Sequence, residues 1–135
     1  MTIQLSIVVR DARLDAIETA IGVSPKLRMW SGAMPANCPA ASTGVKLVET
    51  VLASDWAANA ANGNKSFNNT PISCTGLALG SAGYFRIVDS TGATVHMQGT
   101  ISEAGGGGDM IVDDINVSTG ETINVTSFTM TDGNA

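Results

Sequence analysis

Imidazole is the side chain best suited to moving protons or holding a metal near neutral pH, and this chain of 135 residues has one histidine, His96. It stands in GYFRIVDSTGATVHMQGTI, Gly83 to Ile101, which reads as two strands around a tight turn. Phe85 and Ile87 point one way; Tyr84, Arg86 and Val88 point the other. Asp89 opens the turn and Gly92 closes it, as a type I turn with a bulge requires. On the return strand Val95, Met97, Gly99 and Ile101 share one face. Thr94, His96, Gln98 and Thr100 share the other. His96 therefore belongs to a polar outer row, with no second His, no Cys and no carboxylate beside it in sequence. No catalytic residue is assigned. A Ser/His/Asp set could be assembled only by choosing its partners freely, and no Gly-x-Ser-x-Gly elbow exists.

The other chemical candidates are weaker. EAGGGGDMIVDD, Glu103 to Asp114, has four consecutive glycines, but a phosphate loop needs Lys and Ser/Thr after them. Asp109 follows instead and would repel phosphate, so the glycines read as a hairpin tip. Glu103, Asp109, Asp113 and Asp114 are hard oxygen ligands in no defensible calcium spacing. Cys38 and Cys74 form no CxxC, so no metal is assigned. They read as two thiols, with a disulfide as the alternative in an oxidising setting. Trp30, Trp56, Tyr84 and Phe85 could stack a sugar ring, but their scatter along the chain favours core positions. No cofactor is implied.

The elements that would carry these residues begin with a helix over about 6–21. Ser6 is its expected N-cap, Gly22 its C-terminal stop, and Pro25 ends it firmly. Val9, Ala12, Ala16 and Ala20 follow one stripe, flanked by Leu14, Ile17 and Ile21. That stripe is expected to pack on a sheet or on another subunit. After Pro25 the period falls to two. KLRMWSGA and VKLVETVL alternate, and PANCPAASTG between them is a loop. SDWAANA suggests a short helical turn capped by Ser54. ANGNKS reads as an exposed loop around a strong Asn-Gly turn. The back half reads as strands at about 71–79, 82–89, 93–102, 109–117 and 121–131. Such spacing predicts a mainly β fold, a β-sandwich or jelly-roll-like barrel with one N-terminal α-helix. One domain spans 1–135, with its β part over about 26–131.

The last strand contains an irregularity. Ile123 and Val125 have one parity, Phe128 and Met130 the other. Either a bulge lies near Thr126–Ser127, or the strand end leaves its own core to meet a partner. The second alternative is preferred, because an uncovered apolar strand end invites aggregation.

Composition limits the function class. Charged residues make up 14% of the chain, against roughly 25% in an ordinary soluble domain. The surface must be polar through hydroxyls and amides. A net charge of −5 and seven unclustered basic residues argue against nucleic acid. No apolar run approaches the length of a membrane helix. MTIQLSIVVRDARLD lacks the basic and apolar regions of a signal peptide, which predicts synthesis in a cytosol.

LSIVVRDARLDAIETAIG followed by SPKLRMWSGAMPANC, then GSAGYFRIVDSTGATVHMQGTI, GGGGDMIVDD and VTSFTMTDGNA, resembles a group of small virion-associated structural proteins of tailed bacteriophages and prophages. The resemblance spans nearly the whole chain, and PANC, AGYFRIVDS and SFTMTDGNA are its most specific parts. It implies a non-enzymatic component of the particle, made in the bacterial host cytoplasm and located in the virion. The best single role is a capsid decoration (cement) protein on the outer shell. A tail, neck or fibre component, or a carbohydrate- or receptor-binding module, is the alternative. Expected partners are the major capsid protein or other virion proteins and further copies of the chain, with no nucleic acid and no membrane. Val9, Ala12, Ile17, Phe128 and Met130 are the interface candidates.

Overall fold

A computed structural model describes residues 3–133. The ends of the helical opening and of SFTMTDGNA, residues 1–2 and 134–135, lie outside them. The fold is mainly β with one N-terminal helix, and its sheet is a strongly curled half-barrel. In chain order it contains α1 (Ile7–Ile21), β1 (Lys26–Ser31), β2 (Lys46–Val51), β3 (Asn64–Ser66), β4 (Ile72–Thr75), β5 (Gly80–Val88), β6 (Val95–Ser102), β7 (Met110–Val112), β8 (Asn116–Val117) and β9 (Thr122–Thr131). The order across the sheet is β2-β1-β5-β6-β7-β9-β3, with β4 also on β9 and β8 on β5. All these pairs are antiparallel except β6 with β7. A bridge between Val48 and Gly76 draws β4 toward β2, which helps to curl the sheet around one core.

The local signals act as their chemistry requires. The Ser6 hydroxyl accepts from the Val9 N–H, and the Gly22 N–H donates to the Glu18 carbonyl with Gly22 at φ 89°. Asn62 and Gly63 take φ 54° and 75°, so Ala61 and Asn64 exchange both backbone bonds across a tight hairpin. The Asp89 carboxylate accepts from the Thr91 hydroxyl and the Ala93 N–H and fixes the β5–β6 turn. SDWAANA, by contrast, forms no helical turn. Trp56 is buried there instead, and its indole N–H donates to the Gly22 carbonyl at 3.1 Å.

The concave face holds Leu27, Met29, Leu47, Phe85, Ile87, Met110, Ile123 and Val125, all at most 1% exposed. Phe128 joins this core. Met110 faces Phe128 and Ile111 faces Ser127, but Val112 faces Val125. Thr126 is thus the extra residue of a bulge. It restores parity, so Ile123, Val125 and Phe128 are buried together. The preferred expectation, a strand end reaching for a partner, is overturned for Phe128: its ring lies 4.5 Å from Phe67 and 5.4 Å from Phe85, centroid to centroid. Met130 is half-buried against the same core.

Candidate functional site

The convex face of the sheet is not a bare outer surface. Tyr84, Arg86 and Val88 are buried there, and the 35–44 segment folds over the first two. The Tyr84 hydroxyl donates to the Thr43 carbonyl and accepts from the Thr43 N–H, each at 2.8 Å. Arg86, 2% exposed, donates through Nη1 to the Ala40 carbonyl and the Ser42 hydroxyl. Its Nη2 donates to the Asn37 carbonyl and to Gln98 Oε1. The Gln98 amide in turn donates to the Pro35 carbonyl. Among the described residues these four bonds all go to neutral oxygens, so the segment is held by the direction of its carbonyls. Arg86 Nε and Trp30 Nε1 are buried with no bond partner.

His96 lies beyond this layer. Ile87 faces Met97 and Val88 faces Val95, so His96 is the unpaired residue of a bulge and is exposed. Gln98, expected beside it in the outer row, is half-buried under the covering segment. Asp109 accepts from the Thr100 N–H and hydroxyl at 2.8 and 2.9 Å. Asp113 accepts from the Asn124 N–H and amide at 2.8 and 2.7 Å, and the backbone bond from Asn124 leads the causes that lower its pKa. These acids hold strands in register. Among the described residues no group of three or more His, Cys, Asp or Glu could hold a metal ion. Cys38 and Cys74 are free thiols, and burial raises the Cys74 pKa. Of the candidate stacking aromatics, Trp56, Tyr84 and Phe85 are buried.

The richest ionic cluster lies between α1 and the hairpin that ends in β3. ANGNKS is the expected exposed loop only in part: Ala61, Asn62 and Asn64 are exposed, but Gly63 is buried and Lys65 is 1% exposed. Its ammonium donates to Asp15 Oδ1 at 2.8 Å and the Ala58 carbonyl at 2.8 Å, and it lies 2.7 Å from Glu18 Oε2. Burial opposes the charge, but the bonds to Asp15 and Glu18 outweigh it and raise the Lys65 pKa. The bond from Lys65, then that from the Ala60 N–H, lowers the Asp15 pKa. Asp11 accepts from the Gly63 N–H at 2.7 Å. Arg10 donates to the Asp132 carbonyl, and Arg13 pairs with the Asp132 carboxylate at 3.3 Å. A Cβ on Gly63 would displace the Arg10 guanidinium from its place, and the φ of 75° itself favours glycine there.

This seam corrects one arm of the expected seating of the helix, packing of the stripe on the sheet. Leu14 and Ile21 are buried and Ile17 is half-buried against the core, as a packed face requires. Val9, Ala12, Ala16 and Ala20, the stripe itself, face solvent with Val8. Local periodicity found the stripe but not its direction, because the charges that turn inward find their partners about 50 or more residues away.

Among the described residues, exposed apolar side chains include this outer face of α1 and, beside β2, Val45, Leu77 and Leu79, with Leu79 81% exposed. The Leu77 N–H donates to the Leu47 carbonyl, which places that patch along the β2 edge. No known protein family, curated protein or solved structure matches the chain. Among the described residues no helix is long and apolar enough to cross a membrane.

Proposed function

We propose that this chain is a non-enzymatic structural component of a tailed-bacteriophage particle, and that its role is capsid decoration. The observation that carries the proposal is the pair of separate apolar surfaces, on α1 and along the β2 edge, on a domain whose buried charges serve internal bonds. A decoration subunit needs one surface for its sister copies and another for the shell. Each contact can be weak, because many repeated contacts act together. Low surface charge favours close packing against a shell. A sugar-binding alternative receives less support. The cavity of about 270 Å³ beside Val51, Asn68 and Ile72 is lined by Trp56, but that ring is too deeply buried to offer a stacking face.

Quantitative mass spectrometry of purified particles tests the role. Decoration predicts a copy number that scales with that of the shell protein. A handful of copies per particle would assign the chain to the neck, tail or fibre, and absence from particles would end the structural proposal.

A further inference from the structure

A surface helix ordinarily buries its apolar side and shows water its charges. α1 buries Leu14 and Ile21 but carries a second apolar face that points away from the domain. Arg10, Asp11, Asp15 and Glu18 bond toward the domain, while Val8, Val9, Ala12, Ala16 and Ala20 face outward. At 100° per residue these five side chains fall within an arc of about 120°, and Thr19 is the only polar residue inside it. Val8 is 73% exposed and Val9 44%.

We infer that this face is closed by the same face of a second copy, packed across a two-fold axis. The inference rests on the structural-component proposal only for the choice of a like copy as partner. Three features favour that occupant. The first is area. Val8, Val9 and the three alanines are all exposed and leave on the order of 300 Å² of apolar surface in water, the size of the largest patch on a typical monomer. A standard interface buries about 800 Å² on each partner, a little over half of it apolar. The patch therefore supplies most of the apolar share of a stable dimer.

The second is charge. The outer arc carries no ionic group, and the flanking Arg13 is paired with Asp132. A charged peptide, a nucleic acid or an anionic membrane surface would find no complement there. An identical neutral face does. The third is shape. Val8, Ala12, Ala16 and Ala20 form one ridge of residues four apart, and two such ridges interdigitate at a crossing angle near −50°. The contact is then self-complementary and closed at two copies. Burying it costs the monomer none of its internal bonds.

Sedimentation velocity on the full chain tests this directly. The chain should sediment as a dimer. Val8→Asp should weaken dimerisation by at least about tenfold, because a charge would be buried without a partner, and it should leave the melting temperature of the diluted monomer unchanged. Leu79→Asp, on the other apolar surface, should leave the dimer intact. Ala16→Cys in a Cys38→Ser background should form a disulfide-linked dimer on oxidation. A monomer at every soluble concentration would overturn the inference, as would a dimer unmoved by Val8→Asp. Neither result bears on whether the chain is a particle component, which the copy-number measurement decides. If Val8→Asp abolished incorporation into particles while the parent chain stayed monomeric in solution, the face would belong to a shell protein, and the dimer would again be excluded.

Discussion

Lys65 and Asp15 stand 50 residues apart in the chain and 2.8 Å apart in space. Their bond joins a strand to a helix whose outer half remains in water, so it does much of what an apolar contact does for an ordinary surface helix. Lys65→Met should cost about 2–3 kcal/mol in a urea melt. That is somewhat less than is usual for breaking a buried pair, since Asp15 keeps 45% of its side chain exposed. Equal midpoints for parent and variant would show that the seam is ornamental.

The same seam sets an acid limit. Asp15 has a lowered pKa, chiefly through the bond from Lys65. Its contribution is therefore present above the ordinary carboxylate value and fades as pH falls through the depressed one. Lys65 has a raised pKa, so its contribution is complete below the ordinary lysine value and is lost only as strongly alkaline pH passes the raised one. Amide hydrogen exchange in α1 should accelerate on acidification before exchange in β5 does. Asp15→Asn should remove most of that difference; an unchanged acid profile would assign the effect to other carboxylates.

Phe128 belongs to the intramolecular core, between Phe67 and Phe85. Phe128→Ala should cost about 3–5 kcal/mol in thermal or urea unfolding, with no loss of self-association below the melting point. A variant that keeps its stability but loses self-association would restore the strand end as an interface.

Arg86 binds the covering segment through the Ala40 and Asn37 carbonyls, and Cys38 lies between those residues. Arg86→Leu should release the segment and raise the rate of Cys38 alkylation by about tenfold or more, the signature of local opening. Arg86→Lys should rescue only part of the protection, because one ammonium cannot reproduce the guanidinium fork. Equal alkylation rates in all three proteins would mean that Arg86 does not hold the segment.

His96 makes no such contribution. His96→Ala should stay within about 0.5 kcal/mol of the parent in thermal melting. A larger loss would mean that the β6 bulge needs the imidazole.

Signals confined to a few residues were legible in the sequence. Ser6, Gly22 and Pro25 mark the helix ends, Asn62-Gly63 and Asp89 mark hairpins, and each back-half run holds a strand, although the one expected over 71–79 stops at Thr75 and the one expected over 109–117 divides into β7 and β8. Three features were not. Lys65 sits among Asn, Gly and Ser, so nothing nearby announces that carboxylates of a distant helix will bury it. Arg86 looks like one polar member of an alternating strand until the 35–44 segment covers it. The bulge at Thr126 shows only as a parity conflict between Val125 and Phe128, and the core partners that resolve it, Phe67, Phe85 and Met110, lie elsewhere in the chain. In each case the deciding partner is remote in sequence, and local periodicity carries no information about it.

The bond from Arg10 to the Asp132 carbonyl spans 122 positions, and that span has a consequence for synthesis. On the ribosome the helical segment precedes all of its docking partners: Gly63 and Lys65 follow about 50 residues later, and Asp132 only after a further 67. A 15-residue helix is marginal in isolation, so the segment spends most of translation without a fixed place, its valines unprotected. The Arg10 and Arg13 contacts can form only after β9 has been made, so full seating of α1 waits for that strand, and a ribosome stalled shortly before Asp132 should carry a chain whose helical segment is more open to protease than its β5–β6 hairpin.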